Sequence, residues 1–350
     1  MLPDWLQNSY SQIIRNPTGT KKYFLVRFLF QLLSYPVALI SCLRNSLYKF
    51  GLIKKEKIDR PVISIGNISL GGTGKTPCCI YLLEIIIKKQ NQVALISRGY
   101  GDDESMIYQK KFPNIKMAFQ SNRVEACNKL IKSNPEIQCF LLDDAYQHQK
   151  IKRDYNILLI NSIEPFGYGY HLPRGYLRES LKNINRADLI ILTHSSTLKE
   201  ENLKRLHNQC QQFAKANTPV IYANHTPEKI LTPDDEIITL ETFLKISKNT
   251  STGTFCGIAN PQSFHDIFKK KDLPISTSIT YGDHHKYNES DFQALKTNQQ
   301  NIQSWITTEK DGVKIPLAIR KELNIYILKM TLNIIDPEDI ILKKIDELLK

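Results

Sequence analysis

The sequence lacks the features of disulfide-rich, zinc-bound, collagen-like and disordered proteins. Its 350 residues include 7 cysteines without a CxxC pair, so neither a disulfide framework nor a zinc ribbon is indicated. With only 15 glycines, 16 prolines and 41% hydrophobic residues, it is neither collagen-like nor low in complexity, and it has enough apolar side chains to fold. It also lacks motifs that combine a basic face with aromatics or zinc ligands, so we expect no nucleic-acid partner, and no feature indicates an obligate protein partner.

What is present is typical of an α/β protein of about two domains. Short apolar runs alternate with polar helical stretches, a pattern that predicts a doubly wound, mostly parallel sheet. The predicted strands are Pro61–Ile68, Gln92–Ser97, Cys139–Leu142, Asn156–Asn161, Asp188–Thr193, Pro219–Asn224 and Gly253–Ile258, and the predicted helices include Pro77–Ile87, Asn122–Lys132 and Glu200–Ala216.

We predict three segments along the chain. Residues 1–58 form a membrane-docking segment, 59–223 a nucleotide-binding domain, and 224–350 a second, smaller α/β domain that closes over the active site. The last junction is expected in Asn224–Thr239, because this stretch is rich in Pro, Asp and Thr.

The N-terminal segment combines positive charge with a long apolar run. The net charge is +12, and residues 1–60 contain 10 Lys and Arg against 3 acids. Tyr23–Leu43 is long enough to cross a bilayer at about 1.5 Å per residue. On a helix, however, its polar residues share one narrow stripe, formed by Arg27, Gln31, Ser34, Ser41, Asn45 and Lys49. This pattern favours a helix lying on anionic membrane, with a core helix and a true span as alternatives.

The strongest motif is a glycine loop between a strand and a helix. Ser69-Leu-Gly-Gly-Thr-Gly-Lys-Thr76 follows the strand Pro61–Ile68 and precedes the helix Pro77–Ile87. Backbone N–H groups of such a loop surround phosphate oxygens, and Lys75 can reach the β- and γ-phosphates. We therefore predict an ATP site formed by Gly71, Gly72, Thr73, Gly74, Lys75 and Thr76. A chance glycine turn is the alternative, and the strand and helix that flank the loop disfavour it.

A magnesium site is expected beside this loop. The Thr76 hydroxyl can hold Mg²⁺ at the helix N-terminus. The strand Cys139–Leu142 is followed by Asp143 and Asp144, and the carboxyl end of a neighbouring strand is where a Mg²⁺ carboxylate is expected. Either acid alone could instead be a helix N-cap.

A series of motifs makes the comparison with a known family specific. They are Gly66-Asn67, Gly71-Gly-Thr-Gly-Lys-Thr-Pro77, Ser97-Arg-Gly-Tyr-Gly101, Asp143-Asp-Ala-Tyr-Gln-His148, Leu172-Pro-Arg-Gly-Tyr-Leu-Arg-Glu179, Gly257-Ile-Ala-Asn-Pro-Gln262, Asp283-His-His285 and Thr308-Glu-Lys-Asp311. In this order they resemble the tetraacyldisaccharide 4′-kinases, the lipid A 4′-kinases, over nearly the whole chain. The basic N-terminal segment also resembles the membrane-docking helix of that family.

The resemblance implies a P-loop NTPase-like fold and transfer of the ATP γ-phosphate to the 4′-hydroxyl of a tetraacyl glucosamine disaccharide 1-phosphate. The product would be lipid IVA, made on the cytoplasmic face of a Gram-negative inner membrane by a peripheral protein. A phosphorylated, acylated acceptor suits a basic protein that binds the membrane surface.

The resemblance also assigns roles to individual residues. Asp103 corresponds to the catalytic base, although Asp102 beside it is an alternative, and His284 to the histidine that pairs with the base. Arg123 and Arg178 would neutralise charge on phosphoryl or substrate. The remaining assignments are Gln147 beside the nucleotide, and Asn67, His148 and Glu179 beside the substrate.

Two other functions are compatible with part of the pattern. A membrane-associated P-loop ATPase switch would share the loop chemistry but would have no use for Asp103, His284 and Arg178. A phosphoesterase built on Asp283-His284-His285 would leave the phosphate loop unused and lacks further acidic metal ligands.

Overall fold

The computed structural model describes residues 10, 13–14, 23–89, 92–99, 102–248, 250–258, 260–298, 301–335 and 339–349. Its elements in chain order are α1 (Phe24–Lys49), β1 (Val62–Asn67), α2 (Lys75–Lys88), β2 (Val93–Ser97), α3 (Asp102–Lys111), β3 (Lys116–Phe119), α4 (Arg123–Ser133), β4 (Cys139–Leu142), β5 (Tyr155–Asn161), β6 (Leu189–Thr193), α5 (Glu200–Phe213), β7 (Val220–Leu231), β8 (Ile237–Thr239), α6 (Leu240–Ser247), β9 (Thr252–Cys256), α7 (Pro261–Lys269), β10 (Ile275–Thr280), α8 (Glu289–Asn298), β11 (Ser304–Thr308), α9 (Glu309–Gly312), α10 (Leu317–Glu322), β12 (Ile325–Ile334) and α11 (Asp339–Leu348).

The chain forms two compact units. The first contains residues 1–98, 115–224 and 332–350, and the second contains 99–114 and 225–331. Two segments therefore pack differently from the predicted division of the chain. In the second unit, α3 buries Ile107 and Tyr108, and in the first, α11 buries Ile341 and Ile345. The independent folding of the domains stays a prediction.

The sheet of the first unit is parallel throughout its described pairings. Its strand order is β6-β5-β1-β4-β2-β3, and the start of β7 pairs with β6. Strand β1 lies between β4 and β5 and is buried along its whole length. Because the strand order reverses around β1, its carboxyl end is where a doubly wound sheet places a ligand. The predicted α/β fold with a mostly parallel sheet is confirmed.

The second unit contains a smaller sheet of the same kind. Strands β10, β9, β11 and β12 run parallel in that order, and the end of β7 pairs with β8 in antiparallel fashion. Trp305, Phe255 and Phe243 are fully buried in its core. Gly253 lies directly against the Trp305 ring, where an added Cβ would approach to 2.5 Å. The aromatic core therefore depends on a glycine in the adjacent strand.

Helix α1 presents its polar side to the protein and its apolar side outward. Ser34 is buried, donates to the His171 carbonyl at 2.9 Å and accepts from the Arg174 amide. In contrast, Phe24 and Leu25 on the apolar side are about 70% exposed. By length and composition α1 could cross a membrane. A core helix would bury these side chains, so that alternative is wrong for the described part of the chain.

Candidate active site

The glycine loop leads from β1 into an uncapped helix. Gly74 occupies the N-cap position of α2 with a φ of 79°, a conformation that suits glycine, and has no side-chain capping hydrogen bond. The N-terminus of α2 therefore presents its N–H groups and its positive dipole end toward the loop. An anion such as a phosphate would complete this helix terminus.

Side chains at three strand ends hold the loop in shape. Asn67 Nδ2 donates to Thr73 Oγ1 at 2.8 Å, Asn161 Nδ2 to the Gly72 carbonyl at 3.3 Å, and Thr193 Oγ1 to the Thr73 carbonyl at 3.2 Å. The loop is thus anchored to β1, β5 and β6, and two of its carbonyl groups are directed toward the protein. An arrangement that occupies the carbonyls suits a loop whose N–H groups bind anions.

Lys75, Asp144 and Arg178 form a charged group beside the loop. Arg178 Nη1 donates to Asp144 Oδ1 at 2.7 Å and to Asn67 Oδ1 at 3.0 Å, and Lys75 Nζ lies 3.8 Å from Asp144 Oδ1. Burial alone would raise the pKa of Asp144, but Lys75 and Arg178 outweigh it and lower the pKa below its usual value. Asp144 is therefore an anion with two cations beside it.

Arg123 lies beneath the turn that carries the two acids. It is 3% exposed, and Nη2 donates to the carbonyls of Asp143 and Asp144, each at 3.0 Å. The prediction from the resemblance was a guanidinium that neutralises phosphoryl or substrate charge. In the structure the side chain extends from the buried start of α4 to these two backbone carbonyls, and the predicted role stays a prediction. In this arrangement Arg123 positions the acids.

Glu179 is the centre of a buried hydrogen-bond network. It has no exposed surface and accepts from Gln147 Nε2 at 2.7 Å, from Arg186 Nη2 at 2.7 Å, and from Asn45 Nδ2 of α1 at 3.2 Å. Gln147 also donates to the Asn67 carbonyl at 2.7 Å. These contacts hold Glu179 in place, and its predicted contact with the substrate stays a prediction.

His148 follows this network in the chain and is largely enclosed. Burial, together with Arg123, Arg153 and Lys150, lowers its pKa to about 4, so the imidazole is neutral at pH 7. Its Nε2 is buried without a hydrogen-bond partner in the described part of the chain. The predicted substrate contact of His148 stays a prediction.

These residues fit a nucleoside triphosphate and Mg²⁺. The uncapped helix terminus offers donors for phosphate, and Lys75 and Arg178 offer positive charge. The hydroxyl of Thr76 and the carboxylates of Asp143 and Asp144 supply oxygen donors of the kind that Mg²⁺ prefers, and Asp143 is nearly fully buried.

A second group of site residues lies in the second unit. Asp103 in α3 is 4% exposed in its side chain and accepts a hydrogen bond from His284 Nδ1 at 2.8 Å. His284 adopts a φ of 59°, which directs this loop residue toward the carboxylate. The side chain of Asp102, the alternative base, lies outside the described residues.

The two members of this pair shift each other's protonation. Burial would raise the pKa of Asp103, but the hydrogen bond and charge of His284, with Lys310 and Lys314, lower it overall. The hydrogen bond to Asp103 raises the pKa of His284 despite burial. A carboxylate held ionised against an imidazole can accept a proton from a hydroxyl.

His285 makes a separate pair. Its Nε2 lies 2.9 Å from Asp291 Oδ2, and its ring stacks on Tyr281. In the described ranges, no three His, Cys, Asp or Glu side chains group as metal ligands. The two histidines of the Asp283-His284-His285 motif therefore pair with different carboxylates, His284 with Asp103 and His285 with Asp291.

The sequence alone indicated no role for Lys314 or for Asp311. Asp311 is fully buried, and Lys314 lies between it and Asp103. The only local signal was Thr308 three residues before Asp311, a helix-capping spacing.

The family profile for tetraacyldisaccharide-1-P 4′-kinase matches residues 26–350. The chain belongs to this family. Among curated family members, the tetraacyldisaccharide 4′-kinase of Halothermothrix orenii is 30% identical over 347 residues, covering 89% of this chain and 90% of its own. That of Flavobacterium johnsoniae is 33% identical over 297 residues, covering 79% and 84%.

A solved 4′-kinase structure shares the fold. LpxK from Aquifex aeolicus, an "apo" form in complex with ATP, superposes with a TM-score of 0.75 at 25% identity, covering 93% of this chain and 100% of that one. The tetraacyldisaccharide 4′-kinase fold therefore extends over nearly the whole chain described above.

Proposed function

We propose that this protein transfers the γ-phosphate of ATP to the 4′-hydroxyl of a tetraacyl glucosamine disaccharide 1-phosphate, giving lipid IVA in lipid A biosynthesis. The observation that carries the proposal is the loop Gly71–Thr76, with its uncapped helix and the adjacent Lys75, Asp144 and Arg178, in a chain of the 4′-kinase family.

The first unit supplies charge and orientation for the nucleotide. Loop N–H groups and Lys75 bind the β- and γ-phosphates, and Arg178 stabilises the negative charge that spreads over the transferred group. Thr76 with Asp143 and Asp144 would hold Mg²⁺, which when bound supplies additional positive charge to the phosphates. Phosphoryl transfer needs positioning and charge neutralisation more than covalent help, and these side chains provide both.

The second unit supplies the proton acceptor. Asp103 takes the proton of the 4′-hydroxyl, and His284 shares it through the 2.8 Å hydrogen bond. The hydroxyl oxygen forms a bond to the γ-phosphorus, the bond between that phosphorus and the β–γ bridging oxygen breaks, and ADP leaves. Asn67, His148 and Glu179 are the further residues proposed to lie beside the acceptor.

Helix α1 is proposed to lie on the cytoplasmic face of the inner membrane. Its exposed apolar side matches the acyl region of a bilayer, while Arg44, Lys49 and Lys54 can meet anionic headgroups. ATP is available on the cytoplasmic side, and an acylated acceptor resides in the membrane. A peripheral protein on this face reaches both substrates.

The direct test is a kinase assay with γ-labelled ATP and a tetraacyl disaccharide 1-phosphate in mixed micelles. Label in the lipid product supports the proposal. Label found only in free phosphate would overturn it and favour the ATPase switch. Omission of Mg²⁺ in the same assay tests the need for the metal.

The membrane proposal has its own test. Replacing Leu25, Leu32 and Leu39 in the apolar side of α1 by Asp should abolish sedimentation with anionic vesicles, whereas Leu317→Asp, an exposed leucine outside α1, should not. Equal sedimentation of both variants would reject α1 as the docking surface.

A further inference from the structure

Lys314 is a largely enclosed lysine that contacts the Asp103–His284 pair. Its Nζ lies 3.9 Å from Asp103 Oδ2, the oxygen that accepts the hydrogen bond from His284, and its side chain is 12% exposed. Enclosing an ammonium group is unfavourable unless partners compensate for its lost hydration. The groups around Lys314 must therefore compensate for the lost hydration of its ammonium group.

The ammonium group of Lys314 is fixed by groups other than Asp103. It lies 3.3 Å from Asp311 Oδ1, donates to the His285 carbonyl at 3.0 Å, and sits over the Tyr287 ring at 5.6 Å from its centre. These contacts hold the charge close to Asp103 whether or not Asp103 is ionised.

Asp311 is itself held in one orientation. Its Oδ2 accepts from the Gly257 amide at 3.0 Å and from the Thr308 hydroxyl at 2.7 Å, which leaves Oδ1 to Lys314. At Gly257 an added Cβ would come within 3.2 Å of that Oδ1 and 3.0 Å of His285 Cβ. The glycine thus lets the strand end approach the acid that anchors Lys314.

Lys310, one turn earlier, provides an internal comparison. Its Nζ pairs with Glu104 at 2.9 Å, and its side chain is 36% exposed. Both lysines lower the pKa of Asp103. Lys314 is the less exposed of the two and contacts Asp103 Oδ2 directly, at 3.9 Å.

We propose that Lys314 is a positioning residue for the proposed kinase reaction: its ammonium group, anchored by Asp311, orients Asp103 and holds it in the ionised form that takes the proton of the acceptor hydroxyl. This inference rests on the proposed function and adds a third member to the proton-accepting pair. Lys314 acts through Asp103 and is not proposed to contact the nucleotide or the acceptor.

The charges around the pair determine the direction of the expected effect. Lys314 and Lys310 face Asp103 from α9 and the residues after it, His284 and Asp283 lie in the loop after β10, and Glu104 follows Asp103 in α3. Removing one positive charge from this set makes proton binding to the coupled pair easier. The acidic limb of the kcat/KM profile must then move to higher pH, whichever of the two residues holds the proton.

The experiment compares full-length Lys314→Met, Lys314→Arg and Lys310→Met with the parent protein and with Lys270→Met, which removes an exposed charge elsewhere in the second unit. We expect Lys314→Met to move the acidic limb upward by about 1 pH unit and to lower turnover about 10-fold at neutral pH. Lys314→Arg should restore the limb, Lys310→Met should also move it upward because Lys310 acts on the same carboxylate, and Lys270→Met should leave it in place.

A second readout does not depend on catalysis. Titration of the His284 imidazole by NMR in the intact protein should give a higher pKa in Lys314→Met than in the parent, with Lys314→Arg close to the parent. An unmoved limb and an unmoved His284 titration in a folded Lys314→Met protein would overturn the inference.

The two proposals can fail separately. A parent protein that does not phosphorylate the disaccharide would reject the kinase function, while the NMR titration would still test the link between Lys314 and the pair. If Lys314→Met does not fold, Lys314→Gln, which keeps a hydrogen-bond donor but no charge, replaces it with the same expected shift.

Discussion

The residues proposed to bind phosphate in the first unit and those proposed to accept the proton in the second are assembled in different ways. The former centre on one contiguous loop, Gly71–Thr76, with Asp144 and Arg178 at ends of neighbouring segments. The latter bring together Asp103, His284 and Lys314, and the hydrogen-bonded residues Asp103 and His284 are 181 positions apart in the sequence. A local motif therefore suffices to find the first group, whereas the second exists only through tertiary folding.

The largest expected effect concerns the first group. Lys75→Met removes the cation proposed to reach the β- and γ-phosphates, so we expect turnover to fall about 10³-fold or more. Lys88→Met, at the other end of α2, is the matched control and should keep near-parent turnover. Steady-state assays with labelled ATP measure both, and comparable losses in the two variants would contradict the role of Lys75.

The next effect concerns the second group. Asp103→Ala removes the proposed proton acceptor, and turnover should fall about 10²-fold or more while ATP affinity changes little. Equilibrium binding of an ATP analogue and turnover are measured on the same preparation. Near-normal turnover would reject Asp103 as the base. A large loss of ATP affinity would contradict the proposal that nucleotide binding belongs to the first unit and proton acceptance to the second.

A smaller effect tests whether the first group extends into α1. Asn45→Ala removes one donor to the buried carboxylate of Glu179, so the free energy of unfolding should fall by about 1.5 kcal/mol. Its exposed neighbour is the control, and Arg44→Ala should change stability by less than about 0.5 kcal/mol. Urea denaturation measures both, and equal stability of the two variants would remove Asn45 from the network.

The smallest expected effect is a pH dependence of stability. Because the pKa of His284 is raised in the folded protein, the contact with Asp103 stabilises fully below the unfolded histidine value of about 6.5 and less as the pH rises through the folded value. His284→Gln should therefore destabilise more at pH 6 than at pH 9. Denaturation curves at both values check the sign, and a larger loss at pH 9 would contradict it.

Much of the first unit could be predicted from local pattern. Strands β1, β4 and β6 are continuous apolar runs followed by polar residues, so their ends and the loop Gly71–Thr76 were found by inspection. Strand β3, with four residues at the sheet edge and only partial burial, carries too little apolar signal to be recognised.

The second unit was harder to predict. Strand β10 alternates half-buried and exposed positions and has no fully buried residue, and β11 and β12 lie in stretches without a turn signature such as the glycine loop of the first unit. The pairing of Asp103 with His284 came from family resemblance, because no spacing rule connects distant residues. Lys314 was missed for the same reason.

The inverted polarity of α1 bears on how this protein can be handled. Deleting the helix to obtain a detergent-free sample would remove an exposed apolar surface. It would also remove the hydrogen bond that Asn45 donates to Glu179 and the one that the Arg174 amide donates to Ser34. A truncated preparation is therefore an altered enzyme rather than a trimmed one. Polar substitutions on the exposed apolar side of α1 keep the polar residues that face the protein, and we therefore expect them to give a water-soluble form with an intact site.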